Sequence, residues 1–352
     1  MRAPLVEAVE SVGAIQAQYW PSVPVGLWSR VAGFAADDLY AALTRQDLLV
    51  GTLLRRTLHL TSRSHHPAYA TVADESGMIR PSRLVTDTPA TLALHAELLQ
   101  YAKEPRTQAE LGDFVEEYLA AHPGTLDEAE TARQRGMKFR PLIVSTRLVR
   151  VPRSGRWDAR TPSAYQATDA KPARRALDTV IRRHLGAFGP SGADDVAGWI
   201  GWPVPAVRAA LEAALEAALD AAELERDTDG SGRTLYDLPG APRPDPEAPA
   251  PVRFLPAFDG ALLGYASNRR DRILPEAYKA RVYVAANLKW LPTVLVDGYV
   301  AGIWSDALAR KTATLTVTLF DAKAESPELH HEADRLIRFI HPNATAYHTI
   351  MN

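Results

Sequence analysis

The sequence contains no cysteine. Disulfides, iron–sulfur clusters, thiolate zinc sites and a cysteine nucleophile are excluded together. The same absence suits a reducing compartment, and a cytoplasmic location is expected. No uncharged apolar run approaches the roughly 20 residues that span a bilayer, so an integral membrane protein is not expected. Residues 1–20 carry Glu7 and Glu10 among apolar positions and lack a signal-peptide core. Lysine is scarce, with seven residues against 33 arginines, and the formal net charge is −2. A uniformly basic nucleic-acid coat is therefore excluded, whereas a local basic face is not. The HExxH, P-loop and Gly-x-Gly-x-x-Gly patterns are missing. Adjacent histidines, as in His65-His66 and His330-His331, do not share one helix face, so neither a metal nor a cofactor is expected.

What is present is a chain of 352 residues, 46% hydrophobic and 23% charged, long enough for several globular units. No fixed-period repeat is visible, but an order of elements recurs. Residues 3–19 read as an amphipathic helix, 24–32 and 36–46 as two more, and 48–61 as a pair of short strands. Three helices followed by a strand pair is the order of a winged helix-turn-helix. A second copy runs from a helix at 91–101 through one at 107–121, where Thr107 and Glu110 form a capping-box pattern. It continues with a helix within 128–145, then a strand and basic wing over 147–157. A third copy has helices at 172–185, at 191–200 capped by Ser191, and at 203–218 with Pro205 in the first turn. A hairpin around Asp229-Gly230-Ser231-Gly232 closes it.

Residues 239–251 hold six prolines and no large apolar side chain, an exposed linker. Beyond it the period changes to two. Thr312, Thr314, Thr316 and Thr318 alternate with Ala313, Leu315, Val317 and Leu319, as in a half-buried antiparallel strand. Asp297-Gly298 between apolar flanks signals a hairpin, a further strand falls within 253–263, and Ser326 caps a final helix at 326–340. The expected fold is mostly α with β. Winged units occupy 1–90, 91–170 and 171–238, followed by the linker at 239–251 and a β-barrel-like unit with a C-terminal helix at 252–352.

Charge is segregated along the chain. Between Thr131 and Arg160 lie nine bases, among them Arg133, Arg135, Lys138, Arg140, Arg147, Arg150, Arg153 and Arg156, opposed only by Asp158. Residues 206–229 hold seven acids and two bases. A basic run on an expected recognition helix and wing would steer a polyanion to one side. Arg55 and Arg56 in the first wing, and Arg269, Arg270 and Arg272 further on, add to this supply. Such contacts give affinity and register without sequence specificity.

The most unusual local feature is Gln16-Ala17-Gln18, followed by Tyr19-Trp20-Pro21. On a regular helix the two glutamines diverge by about 200°, whereas in an unwound terminal turn their amides converge. His59 reads as a buried structural histidine. Asp259 reads as a turn or packing anchor, or as a group facing nucleic acid.

Several stretches carry a resemblance: residues 13–19, Gly26-Leu27-Trp28-Ser29-Arg30, Leu54 to Leu60, and Phe254 to Asp259 with Leu262 to Tyr265. Val296-Asp297-Gly298 with Ala301 to Trp304 completes the set. In order and spacing these resemble the bacterial winged-helix DNA glycosylases of the AlkZ type, over nearly the whole chain. The resemblance implies three winged helices, a β-barrel and a catalytic Gln-aliphatic-Gln element, matched by Gln16 and Gln18. A glycine is expected where Arg56 stands. It also implies excision of alkylated bases, including interstrand crosslinks formed by alkylating natural products.

The chemistry is consistent. An amide is a poor base but orients water, which suffices when the leaving group departs readily. An N7-alkylated guanine is cationic and leaves neutral. The expected activity is therefore monofunctional excision of N7-alkylated purines from double-stranded DNA by a monomer, with no cofactor. The alternatives are a non-catalytic DNA-binding regulator, which usually dimerises on palindromic half-sites, and a winged-helix scaffold that contacts protein.

Overall fold

A computed structural model describes residues 4–76, 88–154, 156–157, 164–217, 224–245 and 247–352. The first helix is short. Helix α1 spans Leu5–Ser11 and stops where Gly13 takes a positive φ of 74°. A side chain at Gly13 would also lie 3.2 Å from the ring of Trp199. The helix expected over residues 3–19 is thus cut in half, and the chain leaves the turn as strand β1, Ile15–Gln16. Helices α2 (Ser22–Trp28) and α3 (Ala36–Thr44) follow, then strands β2 (Leu48–Thr52) and β3 (Leu58–Ser62) and helix α4 (His66–Glu75).

The next stretch contains α5 (Pro89–Tyr101), β4 (Arg106–Thr107), α6 (Gln108–Ala121), α7 (Glu128–Gly136), α8 (Arg140–Ile143), β5 (Leu148–Val151) and β6 (Ala164–Ala167). The capping box is made as expected. The Thr107 hydroxyl accepts from the Glu110 N–H at 3.2 Å, and the Glu110 carboxylate accepts from the Thr107 N–H at 2.7 Å. Two free N–H groups of the first turn are satisfied that way. The helix expected within 128–145 is two helices, broken where Lys138 and Phe139 adopt positive φ.

One six-stranded sheet, in the order β1-β3-β2-β5-β6-β4, joins these two stretches. Its central link is the antiparallel pairing of Gly51 with Val149. The sequence pattern alone does not reveal this link, because it shows each strand pair but not which pairs lie edge to edge.

Helices α9 (Ala176–Phe188), α10 (Ala193–Ile200) and α11 (Val204–Ala217) lead to the hairpin β7 (Glu225–Thr228) and β8 (Thr234–Asp237). Ser191 does not cap α10. The cap is Gly192, whose N–H donates to Asp195, while Ser191 bridges Tyr236 and donates to the Phe188 carbonyl.

After the proline-rich stretch come β9 (Arg253–Leu255), α12 (Gly260–Leu263), α13 (Lys279–Val282), β10 (Tyr283–Val284), β11 (Lys289–Trp290), β12 (Thr293–Val296), β13 (Tyr299–Ala309), β14 (Thr312–Leu319), α14 (Pro327–Ile340) and β15 (Ala346–Met351). Ala313, Leu315 and Val317 are buried, as the alternation requires. Ser326 caps α14 by accepting the Leu329 N–H at 3.2 Å.

The barrel expectation is corrected. Strands β15-β14-β13-β12-β9 form an open five-stranded sheet, with β15 running parallel to β14 across the α14 crossover. Both edges stay unjoined among the described residues, so no barrel closes. The sequence reading also missed β15, because the short run Ala346–Met351 carries no turn signal or clear alternation.

Two cores tie distant segments together. Leu53, Leu54, Tyr69 and Val72 pack with Val180, Trp199 and Leu211 from the helices α9 to α11. Val25, with Trp28 beside it, packs into the core of Phe254, Leu315 and Leu336. Residues 89–167 keep a core of their own around Leu94, Leu98, Leu111, Val115 and Leu142. Among the described residues, no helix is long and apolar enough to cross a membrane.

Candidate active site

Gln16 lies in strand β1 rather than at a helix end, and Gln18 lies in the bend that follows it. Ile15 pairs with Leu60 and Gln16 with His59, and the Ala17 N–H donates to the Leu58 carbonyl at 2.7 Å. Ala17 is buried in the core with Val9 and Trp20, whereas Gln16 is half-buried and Gln18 is exposed. The unwound helical turn expected there is instead a strand end followed by a bend.

Each amide is oriented by a donor. Arg55 Nη2 donates to Gln16 Oε1 at 3.3 Å, and the Leu58 N–H donates to Gln18 Oε1 at 3.1 Å. A guanidinium and a backbone N–H have no acceptor to offer, so both carbonyl oxygens must point at them. The two NH₂ groups and one lone pair on each oxygen remain for other partners.

The wing between β2 and β3 explains how Arg55 arrives there. Arg55 and Arg56 adopt φ of 53° and 60° in the tight turn Leu54–Arg56. Arg56 thus takes up a left-handed conformation natural for glycine. The turn carries Arg55 inward and leaves Arg56 exposed. Burial and the nearby Arg270 guanidinium lower the Arg55 pKa to about 10. Arg55 makes no ion pair among the described residues, and its Nη1 has no hydrogen-bond partner.

A cavity of about 330 Å³ opens beside Gln16. Its walls come from three parts of the chain and include Arg30, Phe188, Asp259, Tyr265 and Arg272. Asp259 holds Arg30 through two bonds of 2.6 and 2.9 Å and caps α12 by accepting the Ala261 N–H at 2.8 Å. Of the two roles left open for Asp259, the packing anchor is the one observed. Its carboxylate is already matched by a guanidinium, so the cavity offers no unpaired carboxylate among its described walls.

His59 is buried, as expected. Its Nδ1 lies 2.9 Å from the Thr57 carbonyl, and burial with the nearby Arg55 charge lowers its pKa to about 3. His184, hydrogen-bonded to the Gly264 carbonyl at 2.7 Å, is held neutral mainly by burial, with a pKa of about 4. Neither is a proton carrier near neutral pH.

Residues 9–339 match the family described as DNA glycosylase AlkZ-like. The chain belongs to that family. It is a DNA glycosylase, and DNA is its partner. The fold is similar to that of Streptomyces sahachiroi DNA glycosylase AlkZ, with a TM-score of 0.77 over 100% of this chain and 94% of that one, at 20% identity. No curated protein matches it by sequence.

In this AlkZ-like glycosylase the basic run of residues 131–160 is less bare than its sequence. Arg133 pairs with Glu130, Arg135 holds Glu116 through two bonds of 2.7 Å, and Arg153 lies 3.2 Å from Glu110. All three acids precede the counted window. Arg150 packs over the Tyr165 ring at 4.3 Å. Lys138, Arg140, Arg147 and Arg156 are exposed and form no ion pair among the described residues. Arg160 and Asp158 lie outside the described residues.

Arg270, one of the bases at 269–272, lies near enough to Arg55 for its charge to lower the Arg55 pKa. It stacks on Trp290 at 4.6 Å, in the short hairpin of β10 and β11. The readable signal was the dense arginine cluster 269–272 after Gly264-Tyr265. Its proximity to residue 55 comes only from folding.

Proposed function

We propose that this glycosylase hydrolyses the N-glycosidic bond of N7-alkylated purines in double-stranded DNA, bulky adducts and interstrand crosslinks included, with Gln16 and Gln18 holding the attacking water. The observation that carries the reading is the pair of amides with donor-fixed oxygens, set where the surrounding carboxylate and histidines are matched or neutral. Such a site orients water well and deprotonates it poorly. It therefore suits a leaving group that needs no acid. In N7-alkylguanine the C1′–N9 pair passes to the base, which departs neutral as the sugar gains positive charge. The water oxygen then bonds C1′, and its proton passes to solvent. Positioning the reactants is the protein's main contribution.

The order α1, β1, α2, α3, β2, β3 supports a winged helix-turn-helix in the first unit, with Arg55 and Arg56 on its wing. The units at 1–90, 91–170, 171–238 and 252–352 remain our working division, joined by the shared sheet and cores. A monomer gripping one duplex fits three such units in a chain. Arg56, Lys138, Arg140 and Arg156 are the proposed contacts to DNA phosphates, with Arg133, Arg135, Arg150 and Arg153 as weaker ones because they already have protein partners.

The test is base release from a duplex oligonucleotide carrying one N7-methylguanine. Release by the wild type and its loss in Gln16→Ala are expected. Binding to undamaged DNA with a preferred palindrome, and no base release, would favour the regulator.

A further inference from the structure

Resting on the glycosylase reading, we propose that Arg55 and Arg270 together form a seat for a single DNA backbone phosphate, and that this phosphate is the one adjoining the nucleotide whose base is excised. The argument begins with an imbalance. Arg55 bonds Gln16, Arg270 is near enough for its charge to act on Arg55, and no carboxylate pairs with either guanidinium among the described residues. The acids of neighbouring elements are committed elsewhere. Asp259 holds Arg30, while Asp194 and Asp195 hold Arg233. Arg55 Nη1 and Arg270 Nε are enclosed donors with no hydrogen-bond partner. Like charges withdrawn from water without a counter-ion are costly, and burial lowers the pKa of both.

The reaction makes the imbalance sharper. Positive charge builds on the sugar in the transition state, and two bare guanidiniums nearby would oppose it. A phosphate diester seated between them supplies the missing negative charge. It also satisfies idle donors with the forked geometry that arginine offers to phosphate. Because Arg55 also holds the Gln16 oxygen, a phosphate on Arg55 sets the adjoining deoxyribose against that amide. Binding register and water placement are then coupled through one side chain.

The experiment scans single methylphosphonates, which remove one backbone charge, around a tetrahydrofuran abasic analogue in a duplex. Equilibrium binding is measured for wild type, Arg55→Gln, Arg270→Gln and the double variant. One flanking position should weaken wild-type binding by roughly 10- to 100-fold and have little further effect in any of the three variants. The log–log salt slope should fall by about 0.9 in the double variant, as for one lost phosphate contact. A fall of about 2, or methylphosphonate penalties that persist undiminished in the variants, overturns the shared seat. Arg270→Lys, which keeps a charge at the rim, should retain the slope. If Arg55→Gln misfolds, Arg270→Gln alone carries the test. These are binding readouts, so they stand even if N7-methylguanine proves not to be a substrate, whereas that failure would overturn only the substrate reading.

Discussion

Two regions attract attention in the sequence, the Gln16-Ala17-Gln18 element and the arginine run of residues 131–160, and folding treats them in opposite ways. Around Gln16 it gathers distant segments. Strand β1 carries Gln16, the wing turn delivers Arg55 to its amide, and segments near residues 188, 259 and 272 complete a cavity beside it. Across the arginine run it disperses charge, because Glu110, Glu116 and Glu130 arrive from outside the run and match three of its bases. A charge count along a sequence thus overstates the field in space. One unpaired cation in an enclosed place says more about a ligand than several paired ones at the surface.

The contrast is broken most severely through Asp259. Asp259→Asn leaves the Arg30 guanidinium without its counter-ion at the cavity wall and should cost about 3 kcal/mol of stability, read as a lower urea midpoint. A midpoint unchanged from wild type would mean that the ion pair does not hold the wall. Next come the glutamines. Gln16→Ala and Gln18→Ala should keep the fold and DNA binding while single-turnover excision of N7-methylguanine falls on the order of 100- to 1000-fold. Wild-type excision rates in both variants would remove the catalytic assignment.

Acid should also separate the regions. His59 is held neutral with a pKa of about 3, and His66 and His184 with pKa values of about 4, all three outside the arginine run. Their ordinary value is about 6.5. Between that value and pH 4 the unfolded chain takes up protons that the folded chain refuses. Stability is therefore full above pH 6.5 and falls below it, by about 1.4 kcal/mol per pH unit for each histidine. Denaturant midpoints measured from pH 7 to 5 check this, and His184→Gln should flatten the slope. Excision at saturating enzyme should stay level from pH 6 to 9, because no glutamine titrates.

The smallest effect sharpens the arginine side. Lys138→Ala with Arg140→Ala should lower the salt slope of DNA binding by more than Arg133→Ala with Arg135→Ala, since the latter two are already paired. Equal losses would restore the basic run as an undivided surface.

Much of this molecule was legible from sequence where a local rule operates. The Thr107 capping box, the alternating strand Thr312–Leu319, the Asp297-Gly298 hairpin and the Ser326 cap depend on neighbours within a few residues. The glutamine pair was legible as residues but not as geometry. Gly13 ends α1 early because its positive φ stops the helix, and hydrophobic periodicity does not register that stop. Arg270 and Asp259 were out of reach, as their roles depend on partners more than 200 positions away. The open edge of the C-terminal sheet was hidden for the same reason, since alternation marks a strand but not whether a sheet closes.

The cavity beside Gln16 has a consequence for how the enzyme comes into being. Gln16 and Gly298 line the same space, about 280 residues apart in the chain. At synthesis rates of about 5–20 residues per second, the far wall leaves the ribosome some 15–60 s after the glutamines. A nascent chain therefore carries Gln16 and Gln18 long before the cavity beside Gln16 has its far wall. Fragments released by interrupted translation retain Gln16 and Gln18 without that enclosure.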